Sequence, residues 1–124
     1  MNTAILVVAH GSPVAKANED LFYLVEQVRE RSGCEIVEAA FLERARPSIP
    51  EGIDACVRRG AGRVVVLPFF LLLGAHVVED LPRLVDEARD RHPGVEFVLG
   101  RHLGDDERVA LAVLQRIREA ERGF

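Results

Sequence analysis

The chain has 124 residues, enough for one hydrophobic core and little else, so a single domain over residues 1–124 is expected. Apolar residues make up 48% and charged residues 29%, with a formal net charge of -4 at pH 7, a globular balance whose acidic sign argues against a nucleic-acid binder. The apolar run from Val64 to Leu73 falls short of the ~20 residues that cross a bilayer, so no membrane partner is expected.

Ala4-Ile5-Leu6-Val7-Val8-Ala9 is an unbroken apolar run of the kind buried on both faces of a parallel sheet. His10-Gly11-Ser12 follows at its carboxyl end, and Pro13 keeps the strand from continuing. Leu21, Leu24, Val25 and Val28 recur at helical spacing, which predicts an amphipathic helix stopped by Gly33. Glu35 to Leu42 reads as a second strand, leading into the charged loop Glu43-Arg44-Ala45-Arg46-Pro47. Ser48 with Glu51 three residues on forms a capping box for a helix that buries Ile49, Ile53, Cys56 and Val57 and ends at Gly60. Arg63 to Leu67 is the third strand, closed by Pro68, and the run Phe69 to Leu73 is too apolar for an ordinary solvated loop.

Asp80 is expected to cap the third helix, with Pro82 in its first turn and Leu81, Leu84, Val85 and Ala88 as its buried stripe. His92-Pro93-Gly94 terminates it. Val95 to Leu99 gives a fourth strand, and Asp105 and Asp106 open a last helix whose Val109, Val113 and Ile117 are expected to face inward. Strand and helix thus alternate four times. Right-handed crossovers turn that order into an α/β fold, a four-stranded parallel sheet with helices on both faces.

In such a sheet, ligands gather beyond the carboxyl ends of the strands. Those ends present His10, Glu43, His76 and Arg101-His102, which include three of the four histidines; His92, at a helix C-terminus, is given no function. Imidazole is a base near neutral pH and a ligand for cobalt, nickel, iron and zinc. Two imidazoles and a carboxylate therefore point to a transient metal site, or to a base beside one. Ala9 stands where histidine phosphatases carry an arginine, so a phosphate would go ungripped. Ser12 lacks the Gly-x-Ser-x-Gly elbow of a nucleophile and reads as a turn residue, and no Gly-x-Gly-x-x-Gly follows the first strand, so no nucleotide is expected. Cys34 and Cys56 have neither CxxC nor zinc-ribbon spacing and fit a reduced compartment; with no leader signature, a cytoplasmic location is expected.

His10-Gly11-Ser12, Phe41-Leu42-Glu43 with Pro47 and Ile49, Glu51-Gly52-Ile53 with Cys56-Val57, Gly60-Ala61, and Pro68-Phe69-Phe70-Leu71 through Gly74-x-His76 to Asp80-Leu81-Pro82 resemble the small sirohydrochlorin chelatases of the CbiX type. The resemblance runs over nearly the whole chain in order. It implies ATP-independent insertion of a divalent metal into sirohydrochlorin, cobalt first and iron next, with nickel used by some relatives, in cobalamin or sirohaem biosynthesis. It implies that His10 and His76 bind the metal and take part in proton removal, and that two copies form a homodimer whose subunits together make the cleft. Glu43 is expected to support them as a ligand or as an orienting group. Arg44, Arg46 and Arg101 are expected to meet the carboxylates of the tetrapyrrole, with Ser12, Phe70 and Leu71 also on its side of the sheet. Without clustered cysteines or a histidine-rich tail, neither an iron–sulfur cluster nor a metal store is expected. The rival reading is a non-catalytic tetrapyrrole or metal carrier on the same fold.

Overall fold

The computed structural model describes residues 2–123. Four strands alternate with four helices: β1 (Thr3–Ala9), α1 (Ala15–Ser32), β2 (Ile36–Phe41), α2 (Ile49–Arg58), β3 (Arg63–Pro68), α3 (Ala75–Arg91), β4 (Glu96–Leu99) and α4 (Glu107–Glu121). The strands form one all-parallel sheet in the order β2-β1-β3-β4. β1 is central, in register with β2 from Ala4 opposite Ile36 and with β3 from Thr3 opposite Arg63. The chain leaves β1 toward β2 on one side and returns to β3 on the other. That reversal opens a crevice between the loops that follow β1 and β3.

The alternation along β1 divides the core. Ala4, Leu6 and Val8 point to one face and pack with Ile49, Ile53 and Cys56 of α2 and with Val77, Leu81, Val85 and Ala88 of α3. Val7 points to the other face and meets Leu21 and Val25 of α1, with Val37, Ala39 and Phe41 of β2. Leu24 and Val28 complete the stripe foreseen for α1, both half-buried against the same cluster. The capping box of α2 forms as expected, the Ser48 hydroxyl accepting from the Glu51 N–H while the Glu51 carboxylate accepts from the Ser48 N–H.

Two expectations need correction. The third helix does not begin at Asp80: its N-cap is Gly74, and Pro82 lies inside it. An interior proline removes one hydrogen bond and costs about 3 kcal/mol in an isolated helix. Here the buried residues Val77, Leu81, Val85 and Ala88 lie on both sides of Pro82, and their packing on the sheet outweighs the loss. The second correction concerns α4. Its apolar residues do not face inward: no residue of α4 is buried, and the helix packs on no strand or other helix of the chain.

At the amino end of the sheet, His92 Nε2 lies 2.8 Å from Asp54 Oδ1, and Arg91 reaches the same oxygen at 3.3 Å, so the end of α3 is fastened to α2. Partial burial raises the Asp54 carboxyl, but hydrogen bonds from His92 and Arg91 outweigh it and hold the pKa below its ordinary value. A carboxyl depressed on folding stabilises above its unfolded pKa and loses that contribution as the pH falls through the folded value. Asp54→Asn is therefore expected to cost under about 1 kcal/mol at neutral pH, because the pair is largely solvent-screened. The difference from wild type should begin to shrink below about pH 4, near the unfolded pKa, and vanish only once the pH passes below the folded value; urea melts at pH 7 and at successively lower pH check both.

Candidate active site

β1 ends at the crevice, and the next residue, His10, projects from its edge. The turn behind it depends on Gly11, which has φ of 99°. A Cβ at Gly11 would collide with the carbonyl oxygen of Glu43, so the loops after β1 and β2 touch backbone to backbone. The Leu42 N–H donates to Ala9 O at 2.9 Å and the Glu43 N–H to His10 O at 3.0 Å, extending the β1–β2 pairing beyond the strands. That continuation brings His10 Nε2 within 3.3 Å of Glu43 Oε1, with both side chains about half exposed. Arg44, at φ of 64°, stands beside them with its Nε 3.7 Å from the same carboxylate oxygen.

His76 enters from the other side. Because α3 starts at Ala75, His76 occupies the first turn of a helix rather than a loop. His10, Glu43 and His76 line one cavity of about 370 Å³, floored by Leu42, Ile49 and Val77. Asp80 and Arg83 line it too. Sequence reasoning missed both, because it assigned Asp80 to a cap. With the helix begun at Ala75, His76, Asp80 and Arg83 fall at i, i+4 and i+7 on one face. Arg83 is bound to Asp80 at 3.3 Å and to Glu87 at 2.9 Å, which fixes a cation on the α3 wall.

The other predicted residues lie at the same edge of the sheet but outside this cavity. Ser12 is a turn residue: its N–H donates to Asn18 Oδ1 at 3.0 Å, its carbonyl accepts from Asn18 Nδ2 at 2.9 Å, and its hydroxyl accepts from the Val14 N–H. Arg46 is paired with Glu51, whose carboxyl is held down to about 2 by that guanidinium and by the Ser48 N–H. Arg101 is paired with Asp105 at 2.5 Å and borders, with His102, a separate groove on the far side of α3. Phe70 packs against the core, while Leu71 and Leu72 are exposed, Leu72 at 87%.

Among the described residues, no three His, Cys, Asp or Glu side chains are drawn together as a closed metal cage. The arrangement is one close imidazole–carboxylate pair, His10 and Glu43, with a second imidazole on the same cavity. Such an open set suits a metal in transit better than a structural ion, whose ligands close around it. Cys56 offers no alternative thiolate, since burial pushes its thiol up to about 12. A larger hollow of about 540 Å³ opens at the opposite end of the sheet, by Asn2, Cys34 and Arg59. There the Cys34 thiol donates to Thr3 O and Arg59 is bound to Glu38 and Glu35 O, so its chemistry-bearing groups are occupied by the fold itself.

The CbiX family profile matches residues 4–120. The chain belongs to the CbiX family. It is 35% identical over 116 residues to a sirohydrochlorin ferrochelatase of Priestia megaterium, covering 94% of this chain and 44% of that protein. It is 36% identical over 117 residues to a sirohydrochlorin cobaltochelatase of the same organism, covering 94% of this chain and 38% of that one. The solved structure of SirB from Bacillus subtilis with Fe3+ superposes with a TM-score of 0.88 at 36% identity, over 97% of this chain and 48% of that one. The CbiX chain described here thus spans about half the length, or less, of these relatives.

Proposed function

We propose that this CbiX-family chain inserts a divalent metal, cobalt first and iron next, into sirohydrochlorin without ATP, in cobalamin or sirohaem biosynthesis. The observation that carries the reading is the meeting of His10, Glu43 and His76 on one cavity at the carboxyl edge of the sheet. The names of the relatives, one a ferrochelatase and one a cobaltochelatase, support the reaction class and leave both metals in play.

Metal insertion exchanges a hydrated cation for two pyrrole N–H protons, so the site must strip water and take up protons. The two imidazoles and the Glu43 carboxylate hold the incoming metal as substrate. His10, whose Nε2 lies 3.3 Å from Glu43 Oε1, is the better-placed proton acceptor, because the carboxylate can orient its ring. Arg44 is the loosest-tied arginine at the cavity mouth and the first candidate to meet a propionate or acetate of the macrocycle. Exposed Phe69, Leu71 and Leu72 offer an apolar shelf along the same edge for the flat tetrapyrrole face. The working unit is a homodimer in the cytoplasm, as the resemblance implies. No helix among the described residues is long and apolar enough to cross a membrane.

An anaerobic absorbance time course of sirohydrochlorin with excess Co²⁺ or Fe²⁺ and sub-stoichiometric protein tests the reading. Metal-dependent conversion is expected to continue over many turnovers, faster than a protein-free blank. A spectral change that stops at one equivalent would make the chain a carrier, and conversion at the blank rate would remove the chelatase reading.

A further inference from the structure

His10 and His76 reach the cavity from different elements, and each stands with a carboxylate and a guanidinium on its own side. Beside His10, the carboxylate oxygen Oε1 of Glu43 lies 3.3 Å from the imidazole Nε2 and 3.7 Å from Arg44 Nε. On α3, Asp80 and Arg83 follow His76 at i+4 and i+7, so the three share one helix face. The two sides differ in one respect. Arg44 does not line the cavity, whereas Arg83 does, the one arginine or lysine to do so among the described residues.

Arg83 is held in place without being used up. Its Nη1 donates to Glu87 Oε1 at 2.9 Å and its Nη2 to Asp80 Oδ1 at 3.3 Å, one bond to each of two carboxylates rather than a fork closed on one. Each terminal nitrogen of a guanidinium carries a pair of N–H groups, so one on each is left for a further acceptor. All three side chains are solvent-exposed, and ion pairs of that kind are weak and readily exchanged. Glu87 lies outside the cavity lining, so its bond to Arg83 competes with any anion that enters.

A cation on the wall repels a divalent metal and cannot serve as its ligand. The planar guanidinium instead matches the paired oxygens of a carboxylate. The cavity, about 370 Å³, is near the lower end of the ~300–1,000 Å³ usual for small-molecule pockets. It therefore admits one edge of a large macrocycle and leaves the peripheral acid groups against its walls.

We propose that Arg83 is a specificity-determining residue that binds a peripheral carboxylate of the macrocycle on the α3 side, exchanging its bond to Glu87 for the substrate. The proposal rests on the chelatase reading and adds to it a substrate contact on the wall opposite Glu43. With Arg44 at the other side, the ring is gripped at two edges and its nitrogen centre lies between the two imidazoles.

The test titrates the full chain with metal-free sirohydrochlorin, following the absorbance change, and measures steady-state metal insertion alongside. Arg83→Gln is expected to weaken sirohydrochlorin binding about 10-fold, with a matching rise in its KM and no change in the KM for Co²⁺. Arg83→Lys should recover part of the loss, keeping the charge without the fork. Glu87→Gln should act in the opposite direction and tighten binding about 2–3-fold, because it removes the competing carboxylate. Melting curves of the three variants should stay close to wild type, since the pairs are exposed. Weaker binding in both Arg83→Gln and Glu87→Gln would reduce the pair to a structural tie and overturn the proposal. Unchanged binding in Arg83→Gln would overturn it too, while leaving the chelatase reading standing. Wild type that binds sirohydrochlorin, with the loss in Arg83→Gln, yet inserts no metal would keep the carboxylate contact and remove the chelatase reading. Wild type that fails to bind sirohydrochlorin would remove both.

Discussion

Replacing His76 by alanine is expected to reduce metal insertion by about 10²–10⁴-fold, the range that a positioned acid–base group contributes. His10→Ala should fall in the same range. Both imidazoles line one cavity, and His10 is coupled to Glu43 at 3.3 Å. If the pair serves one metal, the double variant loses little more than either single one, because the first substitution already dismantles the unit. Losses that multiply would mean that the histidines act separately and would count against a shared metal. Neither change should disturb folding, since His10 and His76 are exposed at the sheet edge and contribute little to the core. Steady-state rates on the three variants, with melting curves for each, decide the matter.

The second large effect is expected at a residue with no chemistry of its own. Gly11→Ala places a methyl group against Glu43 O, 3.0 Å from its carbonyl carbon and 3.3 Å from Phe41 Cβ, at a φ of 99° that L residues rarely adopt. The left-handed backbone penalty and the overpacking together cost about 2–4 kcal/mol. Both neighbours are backbone or core, so neither yields by rotating a side chain. The loop after β1 must move away from the loop after β2, which separates His10 from Glu43. The expected result is a lower denaturation midpoint together with lost activity, in contrast to the stable, inactive histidine variants. Wild-type stability in Gly11→Ala would mean that the close approach is easily relieved.

The fold was largely legible because its strands are apolar runs and its helices carry regular stripes. β1, α1, α2 and β3 follow from patterns that local sequence dictates. The start of α3 was not legible: Asp80 followed by Leu81-Pro82 imitates a helix entry, and the packing of Val77 on the sheet outvoted that signal. The same misreading hid Asp80 and Arg83, since a helix begun at Asp80 cannot place them one and two turns beyond His76. For α4 the periodicity gives the helix but not its surroundings: an apolar stripe reports that a face favours cover, and the structure leaves that face exposed. His10 and Glu43 could be placed at one edge from strand order alone, but their 3.3 Å contact depends on how closely two loops approach, which spacing does not encode.

The position of β1 also governs how the two halves of the site should behave in deuterium exchange. Leu6, Val7 and Val8 are fully buried between two paired strands, so their amides exchange only when the whole molecule opens. His10 is anchored directly to that slowest-exchanging segment. His76 hangs from the first turn of α3, where Gly74 provides no side-chain cap and the early N–H groups lack helical acceptors. Its amide should exchange through local fraying, orders of magnitude sooner. One of the two imidazoles proposed to hold the metal is thus fixed to the most persistent part of the molecule, while the other rides on a turn that can open without unfolding anything else.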